Sequence, residues 1–442
     1  MDPVALSRGL TEMTLAFHIL FATVGVGVPV LIAIAEFLGI RKRDPLFLLM
    51  ARRWTRGFVI TVAVGVVTGT CIGLQLSLLW PSFMQVAGQV ISLPLFLETF
   101  AFFFEAIFLG IYLYTWDRFS NPYFHWLLNI PIVIGSSASA FFITTVNAFM
   151  NTPQGFQLDN GVITEIAPLS AMFNPATPSK VAHVLSSAYL TCAFLLAMIA
   201  AYALLKGRNH EYYKKSLRLN MLAGFLLAVS TIYIGDASAK FLAEAQPEKL
   251  AAAEWHFETT ARAPLVVGGV LDRETLDVTG ALEVPAMLSI LAYNNPNAEV
   301  IGLEEFPREL WPPLYVHYFF DGMVAIGFYL LLIPLVFLFL WRFKRGREFH
   351  RWMLWGILLG GPLSLLAIEL GWYYAEVGRQ PWILRGYMKV AEGATTNEHV
   401  GSIFLLFILL YLTLAVICSL VLSRLFRNKP AEMELEERRI IL

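Results

Sequence analysis

The 442-residue sequence is poor in charged residues. Asp, Glu, Lys and Arg together make up 15% of it, hydrophobic residues make up 57%, and the mean hydropathy is +0.63. This composition excludes an ordinary water-soluble protein and indicates a protein whose solvent is mostly lipid. The formal net charge is −1, and we expect no nucleic-acid partner.

Cysteine is also scarce, and the three cysteines lie within apolar runs. Cys71, Cys192 and Cys418 form no CxxC pair, which excludes a disulfide framework and a thiolate metal site. We interpret them as core-filling residues. The sequence contains no internal repeat, no low-complexity tract and no soluble domain, so it predicts a single helical bundle.

Long apolar runs are abundant. Because a bilayer core about 30 Å thick needs roughly 20 apolar residues per spanning helix, the sequence predicts an all-α, polytopic membrane bundle with about nine transmembrane helices. The predicted spans are residues 14–40, 57–80, 94–115, 125–150, 182–205, 217–240, 314–342, 351–375 and 399–427.

Basic residues are concentrated in alternate connections. Residues 41–56, 206–218 and 342–351 each contain at least five Lys or Arg, whereas the intervening connections 81–93 and 151–181 contain only Lys180. Cytoplasmic connections of membrane proteins carry such an excess. We therefore predict an N-terminus outside and a C-terminus in the cytoplasm.

One connection is much longer than the others. Residues 241–313 are rich in Glu, Asp and Pro and begin with a helix-like piece, EKLAAAEWHFET. A connection of this length is more often functional than idle, although a flexible linker remains the alternative. The predicted division is 1–240 with six spans, 241–313 as an extracytoplasmic loop, and 314–442 with three spans and a cytoplasmic tail, all in one structural domain.

Potential haem ligands lie close to the predicted outer face. His183 and Met323 each lie a short way inside a span that enters from the outside. A His and a Met together give a six-coordinate haem iron suited to electron transfer. Considered alone, His183 is equally well explained as a structural histidine, and Met323 is explained as a core residue. Their matched depth favours a haem between them. His18 lies at the outer start of the first span.

Carboxylates inside the spans have a regular spacing. Glu98 and Glu105 are seven residues apart, so they share one helix face and are separated by about 10 Å of helix rise. Buried carboxyl groups can keep a proton near neutral pH, which suits a proton relay; the alternative is a pair of neutral acids bonded to neighbouring helices. Glu369 and Glu376 repeat this spacing, and Arg379 follows one turn later.

Several longer motifs resemble the cytochrome bd quinol oxidase large-subunit family along nearly the whole chain. GRQPW, just beyond a carboxylate at a helix end, is the most specific of them. The motifs are Arg8 with TLAFHILF, then GTCIGLQLSLLWPSF, LPLFLETFAFFFEAIFLGIYLYTWDR, NAFMNTPQG, NPATPSKVAH and GWYYAEVGRQPW.

The resemblance implies three haems. His183 and Met323 would bind a low-spin haem b, while His18 and Glu376 would bind a high-spin haem b and a haem d, with the assignment between these two left open. Arg379 would be a further cofactor-binding residue. Glu98 and Glu105 match the intramembrane acids of the family's proton route, and Ser139 resembles a polar position near it.

The resemblance also places quinol oxidation in the loop 241–313, which is of the family's short type. Lys249 and Glu254 match its two quinol-associated positions. From their residue types they could bond quinol oxygens and accept a proton, whereas the alternative is a solvated amphipathic helix with an ordinary charge pair. Asp321 stands where other members carry Arg, two residues before Met323.

The function implied is a quinol:oxygen oxidoreductase in the bacterial plasma membrane. It would oxidise quinol at the outer face, reduce dioxygen to water with cytoplasmic protons, and generate a proton motive force without pumping. Its partners would be a homologous second subunit, with room for a small single-helix third, and membrane lipid. Two alternative functions are a secondary transporter, which usually shows related halves, and a haem b subunit of a quinone-linked dehydrogenase.

Overall fold

The protein is described by a computed structural model that covers residues 2–159, 162–428 and 430–437. Within these residues nine α-helices are long and apolar enough to cross a membrane, which confirms the predicted all-α polytopic bundle. They are α1 (Pro3–Lys42), α2 (Pro45–Leu79), α3 (Pro81–Tyr114), α4 (Pro122–Asn151), α6 (Thr177–Leu205), α7 (Glu211–Ala245), α10 (Val316–Phe343), α11 (Arg351–Val377) and α13 (Val400–Asn428).

The connections contain short elements. The short helices are α5 (Pro168–Met172), α8 (Pro247–Ala253), α9 (Met287–Tyr293), α12 (Val390–Gly393) and α14 (Ala431–Glu437). Five antiparallel strand pairs are β1 (Gln157–Asp159) with β2 (Val162–Thr164), β3 (Thr260–Ala261) with β8 (Glu299–Val300), β4 (Leu265–Val267) with β7 (Leu282–Val284), β5 (Val270–Leu271) with β6 (Val278–Thr279), and β9 (Trp382–Leu384) with β10 (Met388–Lys389). Leu265 lies opposite Val284, and Val270 lies opposite Thr279.

Side-chain caps and proline determine where several long helices begin. Asp2, Asp44 and Asn121 each accept hydrogen bonds from backbone N–H groups of the first turn, and a proline follows each of them. Proline suits this position because its missing N–H would have no partner in the helix there. Arg43, in the left-handed region, ends α1, so only two residues separate α1 from α2.

The long helices pack as two groups of four. Helices α1–α4 form one group, α6, α7, α10 and α11 form the other, and α6 joins them by packing against α1 and α4. Gly27 marks the closest approach, because a Cβ there would lie 2.5 Å from the Cys192 sulfur on α6. Helix α13 packs mainly on α1 and α2 and leaves most of its surface exposed.

Ion pairs gather the three basic connections at one end of the bundle, which we call the basic end. Arg52 pairs with Asp117, Lys215 pairs with Asp44, and Arg218 donates to Glu348 at 3.0 Å. These contacts join the connections α1–α2, α3–α4, α6–α7 and α10–α11. The long connection that follows α7 therefore lies at the opposite end, which we call the loop end.

The long connection between α7 and α10 is packed on the bundle. Leu250, Leu288 and Leu303 are buried in it. The Trp255 indole N–H donates to the Leu314 carbonyl oxygen at 2.7 Å, just before α10 begins. Burial of this kind orders the connection against the ends of α10 and α11.

Candidate functional site

The imidazole of His18 is held in one tautomer. Its Nδ1 lies 2.8 Å from the Thr68 hydroxyl on α2, and that hydroxyl donates to the Val64 carbonyl oxygen at 3.0 Å. A hydroxyl has one proton, so the Thr68 oxygen accepts from Nδ1–H. Nε2 is then the nitrogen with a free lone pair, which is the state that a metal ligand requires.

His183 and Met323 lie on α6 and α10 and face glycines of neighbouring helices. A Cβ on Gly235 of α7 would lie 3.5 Å from His183 Cε1, and one on Gly371 of α11 would lie 3.0 Å from the Met323 sulfur. The buried Nδ1 of His183 has no hydrogen-bond partner among the described residues. An unpartnered ring nitrogen and glycine-faced side chains fit a flat group held between these helices.

Glu376 ends α11 in a network of polar side chains. One carboxylate oxygen accepts from the Asn147 amide of α4, and the other accepts from Arg379 at 2.6 Å. The Lys180 ammonium donates to the side-chain amide oxygen of Asn147 at 3.1 Å. Each Glu376 oxygen keeps a second lone pair, so the carboxylate retains capacity for a metal ligand bond. Arg379 is buried, and its Nη1 has no partner among the described residues.

Glu98 and Glu105 both face α4 from α3. Glu98 accepts a hydrogen bond from the Ser139 hydroxyl at 2.9 Å. Glu105 is buried beside Gly135, where a Cβ would lie 3.0 Å from the Glu105 Cβ. The two carboxyl groups therefore lie along one helix interface, as their sequence spacing predicts, and Ser139 joins the first of them.

Lys249 and Glu254 are buried at the loop end rather than solvated. Lys249 is 3% exposed and donates to the Ala375 carbonyl oxygen at 3.0 Å, with its ammonium over the Tyr374 ring. Glu254 caps α8 and is 1% exposed, and neither of its oxygens has a partner among the described residues. The structure records no contact between the two side chains, so a solvated charge pair does not describe them.

Burial changes the protonation of this pair. It lowers the pKa of the Lys249 ammonium to about 7, and the nearby Arg379 charge acts in the same direction. Burial raises the pKa of the Glu254 carboxyl well above its usual range, and the charge of Asp321 adds to the effect. The raised pKa favours the protonated form of Glu254, while Lys249 titrates near neutral pH.

Lys249 also joins two sites that the sequence analysis treated separately. Its ammonium donates to the Ala375 carbonyl oxygen in the last turn of α11, and Ala375 is the residue before Glu376. The charge of Arg379 is close enough to lower the pKa of Lys249. The loop residue expected at the quinol is thus beside a residue expected at a haem. Sequence separation concealed this, because α8 and the end of α11 are more than 120 residues apart.

A second group of loop-end residues was missed by the sequence analysis. His317 stacks on Trp255 with ring centroids 3.8 Å apart, and its Nδ1 lies 2.7 Å from the Ala253 carbonyl oxygen. Its Nε2 lies 3.2 Å from Asp321, which accepts from the Gly268 N–H at 2.6 Å. These contacts bind the loop to the first turns of α10. The available signal was a histidine inside the predicted span 314–342.

The fold and these buried groups define a polytopic membrane protein with potential metal ligands and proton carriers inside its helices. Residues 6–430 match the family described as cytochrome bd terminal oxidase subunit I, and the chain belongs to that family. It is therefore a haem-containing subunit of a terminal quinol oxidase, a multi-pass protein of the bacterial inner membrane that works with a second subunit.

Individual relatives agree over the full length. The solved bd oxidase from Geobacillus thermodenitrificans is 62% identical with a TM-score of 0.94, and the match covers 97% of this chain and 99% of that one. A Bacillus subtilis (strain 168) protein provisionally named a cytochrome bd menaquinol oxidase subunit I is 41% identical over 98% of this chain and 99% of its own. Subunit 1 of the Escherichia coli (strain K12) cytochrome bd-II ubiquinol oxidase is 29% identical over 99% and 98%.

Proposed function

We propose that this oxidase subunit binds three haems through four residues. His183 and Met323 bind a low-spin haem b, and His18 and Glu376 bind a high-spin haem b and a haem d. The main support for this proposal is the hydrogen bonding of His18, because it leaves the lone pair of Nε2 free. The haem irons supply one-electron transfer and dioxygen binding when they are bound.

Arg379 adds a positive charge beside Glu376. Its guanidinium already holds one oxygen of Glu376, and its Nη1 is buried without a partner among the described residues. A buried donor without a partner costs free energy, so it favours an anionic acceptor such as a haem propionate. Arg379 therefore both orients Glu376 and offers one bond to the cofactor.

Quinol oxidation takes place at the loop end. Glu254 in its protonated form, which its raised pKa favours, donates a hydrogen bond to one quinol oxygen, while Lys249 in its neutral amine form accepts a proton. Both side chains lie at the loop end, so the proton leaves on that side of the membrane. We assign the loop end to the outside of the membrane, because the basic end carries the Lys and Arg excess typical of the cytoplasmic side.

Protons for dioxygen reduction enter from the basic end. Glu105 passes a proton to Glu98, which Ser139 holds in position by its hydrogen bond. Uptake on one side and quinol proton release on the other generate a proton motive force without a pump. The homologous second subunit, a small single-helix subunit and lipid would cover the exposed apolar helix faces.

Replacing Met323 with leucine tests the ligand assignment. The change keeps the volume and apolarity but removes the thioether, so the low-spin b band should be lost from the reduced-minus-oxidised spectrum while the fold is retained. Met353→Leu on α11 is the matched control, because Met353 is a fully buried core residue that we assign to no haem.

The wild-type spectrum should show b bands together with a red-shifted d-type band. An unchanged low-spin band in Met323→Leu would contradict the ligand pair. A wild-type spectrum with b bands alone would contradict the haem d.

A further inference from the structure

Three ionisable side chains form a buried cluster toward the basic end, away from the proposed haem and quinol residues. Glu36 on α1 is 2% exposed and accepts from the Tyr112 phenol at 2.7 Å. Its other oxygen lies 2.6 Å from His125 Nδ1 on α4. The three residues come from three different helices, and we call them the acid triad.

The hydrogen bonds of the acid triad determine its proton content. His125 Nε2 lies 3.0 Å from the Tyr112 carbonyl oxygen, which only accepts, so Nε2 carries a proton. The bond between Nδ1 and Glu36 then contains one proton, which belongs to the imidazole or to the carboxyl group. The pair can hold this proton without a net buried charge, which is the property of a proton-holding site.

A short distance separates the acid triad from the surface of the basic end. The Trp116 ring meets the His125 ring edge-on, with centroids 4.5 Å apart. The Arg52 guanidinium lies over the Trp116 ring, 4.8 Å from its centroid, and pairs with the exposed Asp117. Trp116 therefore contacts both the triad and a charged pair that reaches water.

Polar side chains also continue from the acid triad into the bundle. Tyr112 follows Glu98 and Glu105 at the same seven-residue interval, so all three share one face of α3. On α4, His125 is followed on one face by Asn129, Ser136 and Ser139. Asn129 is buried and donates to the Pro29 carbonyl oxygen of α1 at 3.3 Å. Polar side chains therefore recur along this face of α4 from the triad to Ser139, which bonds Glu98.

We propose that the acid triad is the proton-holding site that precedes Glu105 on the uptake route. The proton shared by Glu36 and His125 leaves toward the Glu105 carboxylate and is replaced by one from the basic end, so the triad ends each turnover unchanged. About 10 Å of helix rise separates Tyr112 from Glu105, a gap that bound water can bridge. This inference rests on the proposed role of Glu105.

A structural role makes a different prediction. Polar side chains between membrane helices also stabilise packing, and a clamp between α1, α3 and α4 would use the same hydrogen bonds. A clamp acts on the amount of folded, haem-loaded protein. A proton-holding site acts on the rate of dioxygen reduction and on its sensitivity to heavy water, because proton transfer then limits turnover.

Glu36→Gln and Tyr112→Phe separate these roles in the assembled oxidase. Glu36→Gln keeps the shape but removes the shared proton, and Tyr112→Phe removes the phenol proton. Both should retain haem content and rapid anaerobic haem reduction by quinol. Oxygen consumption should fall by about tenfold or more, with a larger ratio of rates in H2O and D2O. Tyr411→Phe is the control, because Tyr411 donates to Thr14 at 2.9 Å away from this route.

Each result decides the matter. Wild-type oxygen consumption in both variants would overturn the proposal, and loss of haem absorbance in both would overturn it in favour of a clamp. Glu105→Gln distinguishes this failure from failure of the proposed function: slow Glu105→Gln with normal Glu36→Gln rejects the triad alone. Normal turnover in Glu105→Gln rejects the uptake route itself.

Discussion

Thr68 shows how one hydroxyl decides the chemistry of a neighbouring imidazole. It accepts from His18 Nδ1 only because its own proton is used on the Val64 carbonyl oxygen. Residues that orient a ligand in this way typically change metal affinity by about 10- to 100-fold when they are replaced. Residue type alone does not identify Thr68 as a ligand-orienting residue, because threonine is common in membrane helices.

We expect Thr68→Val to lose one high-spin haem in part, because valine has the same shape but cannot accept from Nδ1–H. Haem content per protein and the high-spin bands measure this loss. Thr70→Val is the matched control, since the exposed Thr70 hydroxyl bonds only the Val66 carbonyl oxygen of its own helix. Equal haem content in the two variants would mean that Thr68 does not orient a ligand.

Lys249 should give quinol oxidation a pH dependence near neutrality. Its pKa is lowered to about 7, so the neutral amine that accepts a proton is formed as pH rises through 7. kcat/KM for quinol should therefore increase across this range and level off above it. In Lys249→Arg the side chain stays charged, and this rise should disappear. A pH profile that is the same in both proteins would remove Lys249 as the acceptor.

At the level of elements, α8 and its C-cap carry the residues that we propose for quinol oxidation, and the Glu254 oxygens have no hydrogen-bond partner among the described residues. Glu254→Ala should raise KM for quinol or lower kcat, and all three haems should stay in place. An artificial donor that reduces the haems directly should still support oxygen reduction. Glu283→Ala, on the exposed strand β7, is the control. Equal loss with quinol and with the artificial donor would show damage beyond the quinol site.

The sequence predicted the number of long helices more accurately than the residues at which they begin. The second predicted span starts at residue 57, whereas α2 starts at Pro45, because hydropathy detects the lipid-embedded part and the helix continues into the basic end. The predicted connection 81–93 is likewise the first part of α3. The proline and aspartate caps at these starts were visible in the sequence and would have given the bounds.

The candidate site was less predictable than the helices. Depth and residue type were enough to propose His183 and Met323 as ligands, whereas Glu376 was proposed from the family resemblance. The burial of Lys249 against α11 depends on how the loop packs, and no local pattern reports it. His125 falls at the start of a predicted span, but its role emerges only when α1 and α3 bring Glu36 and Tyr112 to it.

For the whole molecule, the sidedness can be tested because the three native cysteines are buried. We expect a cysteine introduced at exposed Glu283 of the loop end to react with a membrane-impermeant maleimide in intact spheroplasts. One at exposed Arg345 of the basic end should react only after lysis. The opposite pattern would place the loop end in the cytoplasm and contradict the proposed direction of proton uptake.

The two groups of helices also set the order in which the protein can be made. His18 is in the first helix to leave the ribosome, while Glu376 is at the end of α11, and α1 contacts α11 only in the finished bundle. At about 5–20 residues per second, synthesis of 442 residues takes roughly 20 to 90 s. For most of that time the proposed ligand Glu376 has not yet been synthesised, so we expect the haem pocket that needs both His18 and Glu376 to be loaded only after α11 is made.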